Sequence, residues 1–127
     1  MSRLFIIGLG GFIGSVLRYL LSGAAQHLSK SASYPVGTLA VNVSGCFVIG
    51  LLAQLAESRG FLTDASRAFV IVGVLGGYTT FSTFGNETFN LVRSGESALG
   101  AANVVAHVLL GLLAVWAGRD AAHLIWR

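Results

Sequence analysis

Gly76-Gly77-Tyr78-Thr79-Thr80-Phe81-Ser82-Thr83-Phe84 interrupts, with glycines and hydroxyls, a segment that is apolar from Ala68 to Leu75. A helix crossing lipid has no water to satisfy its backbone. An interruption there holds only where protein or a water-filled path takes over the freed N–H and C=O groups. The stretch therefore marks both a helix break and a site.

The 127 residues suit one domain, 54% hydrophobic and 10% charged, against roughly 25% charged in soluble domains. Residues 4–21, 36–55, 68–92 and 97–117 form four apolar stretches. Each reaches or approaches the roughly 20 residues that span a hydrocarbon core of about 30 Å. The break, at 76–80, falls in the third. The expected fold is an all-α membrane protein of four transmembrane helices with the third broken mid-membrane. A net charge of +3 and a pI near 9.6 do not indicate nucleic acid, because the basic residues are scattered rather than gathered into a stripe. Cys46 is the sole cysteine, which excludes an internal disulfide and a thiol metal cluster. It reads as a small hydrophobe. Arg18 inside the first run, with three spans after it, argues for a retained helix rather than a cleaved signal.

Each span carries a small or polar stripe. In the first, Gly10 and Gly14 form a small-xxx-small seam for a close neighbour. A dinucleotide fingerprint fails there, since the third glycine comes one residue late and no acid follows. Arg18-Tyr19 either snorkels to the interface or faces an aqueous vestibule. Residues 26–34 read as a polar loop, and Pro35 suits the start of the second helix. Thr38 and Asn42, four apart, share a face; Asn42 is interhelical glue or pore lining. Thr63 to Arg67 supplies a cap for the third span. Beyond the break, Phe81, Phe84 and Glu87 recur every three residues, and Thr80, Phe84 and Thr88 every four. In the fourth span Gly100, Asn103, His107 and Gly111 form one stripe. No carboxylate or second histidine is near His107 in sequence, which favours a hydrogen-bonded packing role over a titrating or metal-binding one. Trp116 and Trp126 suit the interfacial belt.

No nucleophile set, metal-spaced cluster, phosphate loop or acid pair is present, so conduction or binding precedes catalysis as the expected function. The polar faces of spans two to four cannot all be buried in one copy, which predicts an oligomer. Asn42, Thr38, Ser82 and Thr83 offer N–H and O–H donors, and aromatic rings present a positive edge. Such groups suit a small, hard anion stripped of part of its water, held weakly enough to leave again. Carbonyls exposed by the break suit a hard cation at a subunit junction.

Three motifs resemble the Fluc (CrcB) family of small fluoride channels across essentially the whole chain: Gly10-Gly11-Phe12-Ile13-Gly14 with Arg18-Tyr19, Gly37 to Gly45, and Gly76 to Phe84. The resemblance implies an antiparallel, dual-topology homodimer in the cell (inner) membrane that passively exports fluoride through two pores. It further implies a sodium ion at the dimer centre, held by the backbone carbonyls of Gly76 and Thr79. Phe81 and Phe84 would turn ring edges to fluoride, with Asn42, Thr38 and Ser82 as donors. Arg18 would shape a vestibule, and Glu87 would sit near a pore exit. The polar track of the fourth helix is represented here by Asn103 and His107.

Mixed topology fits the loop charges. With the termini on one side, Arg3, Arg59, Arg67, Arg119 and Arg127 oppose Arg18, Lys30 and Arg93, a small bias for a rule that follows Lys/Arg excess. Two rivals compete with the channel. A four-helix proton-coupled drug transporter needs a membrane-embedded acid, and the first span has none. A non-conducting helical scaffold would use the polar stripes only as glue.

Overall fold

The computed structural model describes residues 2–60 and 62–125; Trp126 and Arg127 lie outside the described residues. The chain forms α1 (Ser2–Ser29), α2 (Val36–Arg59) and α3 (Asp64–Arg67), which continues through a π-wound segment (Ala68–Leu75) into α4 (Gly76–Tyr78). After the break come α5 (Phe81–Arg93) and α6 (Ser97–Ile125). Among the described residues four stretches are long and apolar enough to cross a membrane: Ser2–Ser29, Val36–Arg59, Asp64–Arg93 and Ser97–Ile125. The protein is a multi-pass, all-helical membrane protein.

The helices outrun the apolar windows that announce them. Residues 26–29, expected in a loop, stay helical in α1, because the Gln26 amide closes the following turn. Its Nε2 donates to the carbonyls of Ser31 (2.8 Å) and Tyr34 (3.1 Å), and its Oε1 accepts from Gly37 N–H at 2.9 Å. The last of these satisfies one of the orphan donors at the start of α2. Thr63 caps α3 as expected, its hydroxyl accepting from Ser66 N–H at 3.2 Å. At the far end α6 continues past residue 117, and Arg119 pairs there with Glu57 at 3.0 Å.

The break is narrower than the sequence suggests. Gly76–Tyr78 remain helical, and only Thr79 (φ −88°, ψ 157°) and Thr80 (φ −150°, ψ 114°) are extended. Glycine permits a break but does not impose one. In a continuous helix Thr80 N–H would bond the Gly76 carbonyl; here it donates to Asn42 Oδ1 at 2.8 Å. A side chain on α2 thus holds the break open. Thr80 then caps α5, its Oγ1 accepting from Thr83 N–H at 3.2 Å.

Small residues set the packing. A Cβ at Gly10 would strike the backbone of Phe69 and Gly73, and one at Gly14 that of Val74 and Tyr78. The expected seam therefore joins α1 to the first half of the third span. Gly50 against Val115 and Gly118 against Phe47 do the same for α2 and α6. Val41, Leu55, Leu75 and Leu91 form a thin core, while Leu4, Phe12, Leu112 and Trp116 are exposed. Lipid tails are as apolar as leucine, so in a bilayer close backbone approach replaces the hydrophobic drive between helices.

Candidate functional site

Beside the break lies a groove of about 450 Å³ bounded by Asn42, Gly76, Thr79, Thr80, Phe81, Phe84 and His107, with apolar Ile49, Ile71 and Leu75. It is an apolar trough with a few polar atoms, the usual composition of a small-ligand site. Asn42 anchors it through both ends of its amide: Nδ2 donates to the Thr80 carbonyl at 3.0 Å, and Oδ1 accepts Thr80 N–H. Asn42 is therefore glue to the break and keeps its second N–H for whatever occupies the groove.

From the groove a polar seam runs between α2, α5 and α6. The Phe84 ring packs on His107 (centroids 4.3 Å, planes 43° apart) and on Phe81 (5.5 Å, 52°). Asn103, fully buried, donates through Nδ2 to Thr88 Oγ1 at 2.9 Å, and Thr88 donates in turn to the Phe84 carbonyl at 2.8 Å. His107 Nδ1 lies 2.9 Å from the Asn103 carbonyl. Nearer the helix end, buried Thr38 donates to Glu87 Oε1 at 2.7 Å. Glu87 also borders a second cavity of about 390 Å³ with Ser33, Asn90, Ser94 and Glu96. Glu87 Oε2, Asn103 Oδ1 and His107 Nε2 are buried with no partner among the described residues.

The other expected residues divide into two groups. Phe81 is 83% exposed, and Ser82 and Thr83 are exposed with it on the outer face of α5. Only Phe84 of the two phenylalanines is packed inside the single chain. Arg18 does reach the break, with Nη1 3.5 Å from the Thr79 carbonyl oxygen. Gly76 and Thr79 border the groove, and the Gly76 carbonyl has lost its helical donor, Thr80 N–H, to Asn42. Uncharged oxygen donors of this kind fit a hard monovalent cation, although Arg18 shares the Thr79 oxygen.

Thr80, which the sequence places only on a stripe with Phe84 and Thr88, joins Asn42, caps α5 and donates to Thr83 Oγ1 at 2.9 Å. Its signal was available: a threonine immediately before an amphipathic run is an N-cap signature. The bond between Tyr78 Oη and Ser44 Oγ at 2.8 Å, which ties α4 to α2, has no such signature.

The family model described as CrcB-like protein, camphor resistance (CrcB), matches residues 5–119. The chain is 46% identical over 125 residues to a fluoride-specific ion channel FluC of Elusimicrobium minutum, covering 98% of this chain and 97% of the relative. For the FluC of Opitutus terrae the identity is 48% over 125 residues, covering 96% and 93%. For that of Geobacter sulfurreducens it is 44% over 122 residues, covering 96% and 98%.

Proposed function

The chain belongs to the CrcB family, and from that premise we propose that it is a fluoride-specific ion channel. The observation that carries this reading is the Asn42–Thr80 pair at the break, which opens a groove lined by neutral donors and aromatic rings rather than by lysine or arginine. A fluoride ion entering it exchanges water for N–H, O–H and ring-edge contacts. None of these is a fixed positive charge at the centre, so binding stays weak enough for release.

The ion passes from the groove beside Phe84, along the Asn103 and His107 face of α6, toward Glu87 and the second cavity. There the carboxylate and the polar side chains return it to water. Arg18 draws anions toward the break from its own side. The passage is passive and exports fluoride across the cell (inner) membrane.

The pore is completed by a second copy. Phe81, Ser82, Thr83 and Asn86 are exposed on one face of α5, and polar side chains at membrane depth are expensive unless another surface covers them. The small bias of the loop charges supports an antiparallel, dual-topology homodimer. A sodium ion at the junction would be held by the Gly76 and Thr79 carbonyls and would supply one fixed positive charge there. The chain's own residues set that site by holding Thr80 N–H away from Gly76.

Reversal potentials in planar bilayers test the function. With opposed fluoride and chloride gradients, the expected reversal lies at the fluoride equilibrium potential and does not move with a proton gradient. Reversal between the two anions, or one that tracks protons, overturns the reading.

A further inference from the structure

His107 is the one imidazole on the buried seam, and its hydrogen-bonding pattern gives it a specific chemistry. Its ring packs on Phe84 and borders the groove at the break. Nδ1 lies 2.9 Å from the Asn103 carbonyl oxygen. A carbonyl only accepts, so Nδ1 carries a hydrogen, and Nε2 of the neutral ring is a bare lone pair. That Nε2 is buried without a partner among the described residues, as are the seam's acceptors Glu87 Oε2 and Asn103 Oδ1. The seam is short of donors at the place where an anion needs them.

A bare lone pair repels a small anion. A proton on Nε2 turns the same atom into a charged donor beside the Phe84 ring. We propose that His107 is a fluoride-binding residue that acts in its imidazolium form, so that one proton and one fluoride ion occupy this point of the seam together. The inference rests on the channel reading and deepens it, adding a proton-linked donor to a path otherwise lined by neutral ones.

The groups facing His107 from its packing neighbours agree with this. From α5 comes Glu87, whose carboxylate favours a nearby cation. From α2 comes Cys46, an uncharged thiol whose sulfur lies against Gly111, one turn further along α6. The remaining charges of these helices sit at their ends: Glu57 is paired with Arg119, and Arg59, Arg93, Asp120 and His123 are exposed. Among the described residues no arginine or lysine of α2, α5 or α6 lies along the seam; the cation nearest the groove is Arg18 of α1, whose Nη1 is directed to the Thr79 carbonyl oxygen at 3.5 Å.

Fluoride current in planar bilayers tests the proposal, because neutral hydrogen fluoride crossing the lipid carries no current. Acidification adds a proton to imidazole, so the fluoride current should rise as both chambers are taken from about pH 8 to about pH 5. An increase of about fivefold is expected, the low end of coupling between two linked binding events. In His107→Gln, whose amide donates equally at every pH, the dependence should vanish. A flat profile in the unmodified protein, or a rise that survives His107→Gln, overturns the proposal.

Linkage also requires fluoride to promote protonation of His107. With ¹⁵N-labelled histidine at fixed pH, sodium fluoride should raise the Nε2-protonated fraction about twofold or more over sodium chloride. An equal response to both salts refutes the proposal whether or not current is seen. Absence of fluoride current at every pH refutes the channel reading instead.

Discussion

Replacing Asn42 by alanine removes both hydrogen bonds that hold Thr80 out of the helix, at 2.8 and 3.0 Å. Two buried backbone groups left unpaired would cost about 1–3 kcal/mol each, or about 2–6 kcal/mol together. The chain has a way to recover most of this. Once Asn42 is gone, Thr80 N–H can return to the Gly76 carbonyl and the third span can close into a continuous helix. The net loss should then approach that of two interhelical bonds in a membrane, at about 0.6–1.7 kcal/mol each, so about 1–3 kcal/mol in all. Function should suffer more than stability, because closure buries the Gly76 carbonyl and re-aims Phe81 and Phe84. Fluoride efflux from proteoliposomes should fall more than about tenfold, a loss equivalent to over about 1.4 kcal/mol in barrier height. Reversible unfolding in mixed micelles reads the stability. Asn42→Asp keeps an acceptor for Thr80 N–H and should preserve the break, while its negative charge still blocks the anion. Efflux within about twofold of the unmodified protein in Asn42→Ala, with stability unchanged, would refute the view that Asn42 holds the site open.

Gly14→Val places a Cβ 2.9 Å from Tyr78 N and against the Val74 backbone; backbone cannot swing aside, so unfolding should come about 1–3 kcal/mol earlier. Gly8→Ala meets nothing within 4 Å and should leave the unfolding midpoint in place or raise it. Thr38→Val deprives Glu87 Oε1 of its 2.7 Å donor and should cut single-channel fluoride conductance, with Thr38→Ser restoring it. Arg18→Gln should lower conductance most in dilute salt and little near 1 M, where the Debye length has shrunk to about 3 Å. A deficit that ignores ionic strength would assign Arg18 a packing role instead.

Much of this architecture is readable from residue order, because lipid imposes strict rules. The four spans follow from apolar length, the α1 seam from Gly10 and Gly14, and the third-span break from hydroxyls and glycines in an apolar run. Its narrow extent at Thr79-Thr80 is not readable locally, since what opens it is an amide on α2, 38 residues away in sequence. The persistence of α1 to Ser29 likewise depends on Gln26 closing a turn it shares with α2. Among site residues, the stripes of α5 and α6 contain Phe84 and His107, but that the two rings pack on each other is visible only in the structure. Spacing alone could not tell that Phe81 turns outward while Phe84 turns in, because three residues along a helix rotate a side chain only partway round its axis. That both amide ends of Asn42 lie on Thr80, with one N–H left over, is likewise a fact of the packed structure that spacing does not carry.

Release of fluoride and chloride from the same population of proteoliposomes tests the central claim most directly, since it asks whether this seam, free of lysine and arginine, tells one halide from another. Ion-selective electrodes should record fluoride leaving as soon as the electrical gradient is collapsed, while chloride stays trapped. Release of both anions together, or retention of both by correctly folded protein, would contradict the account.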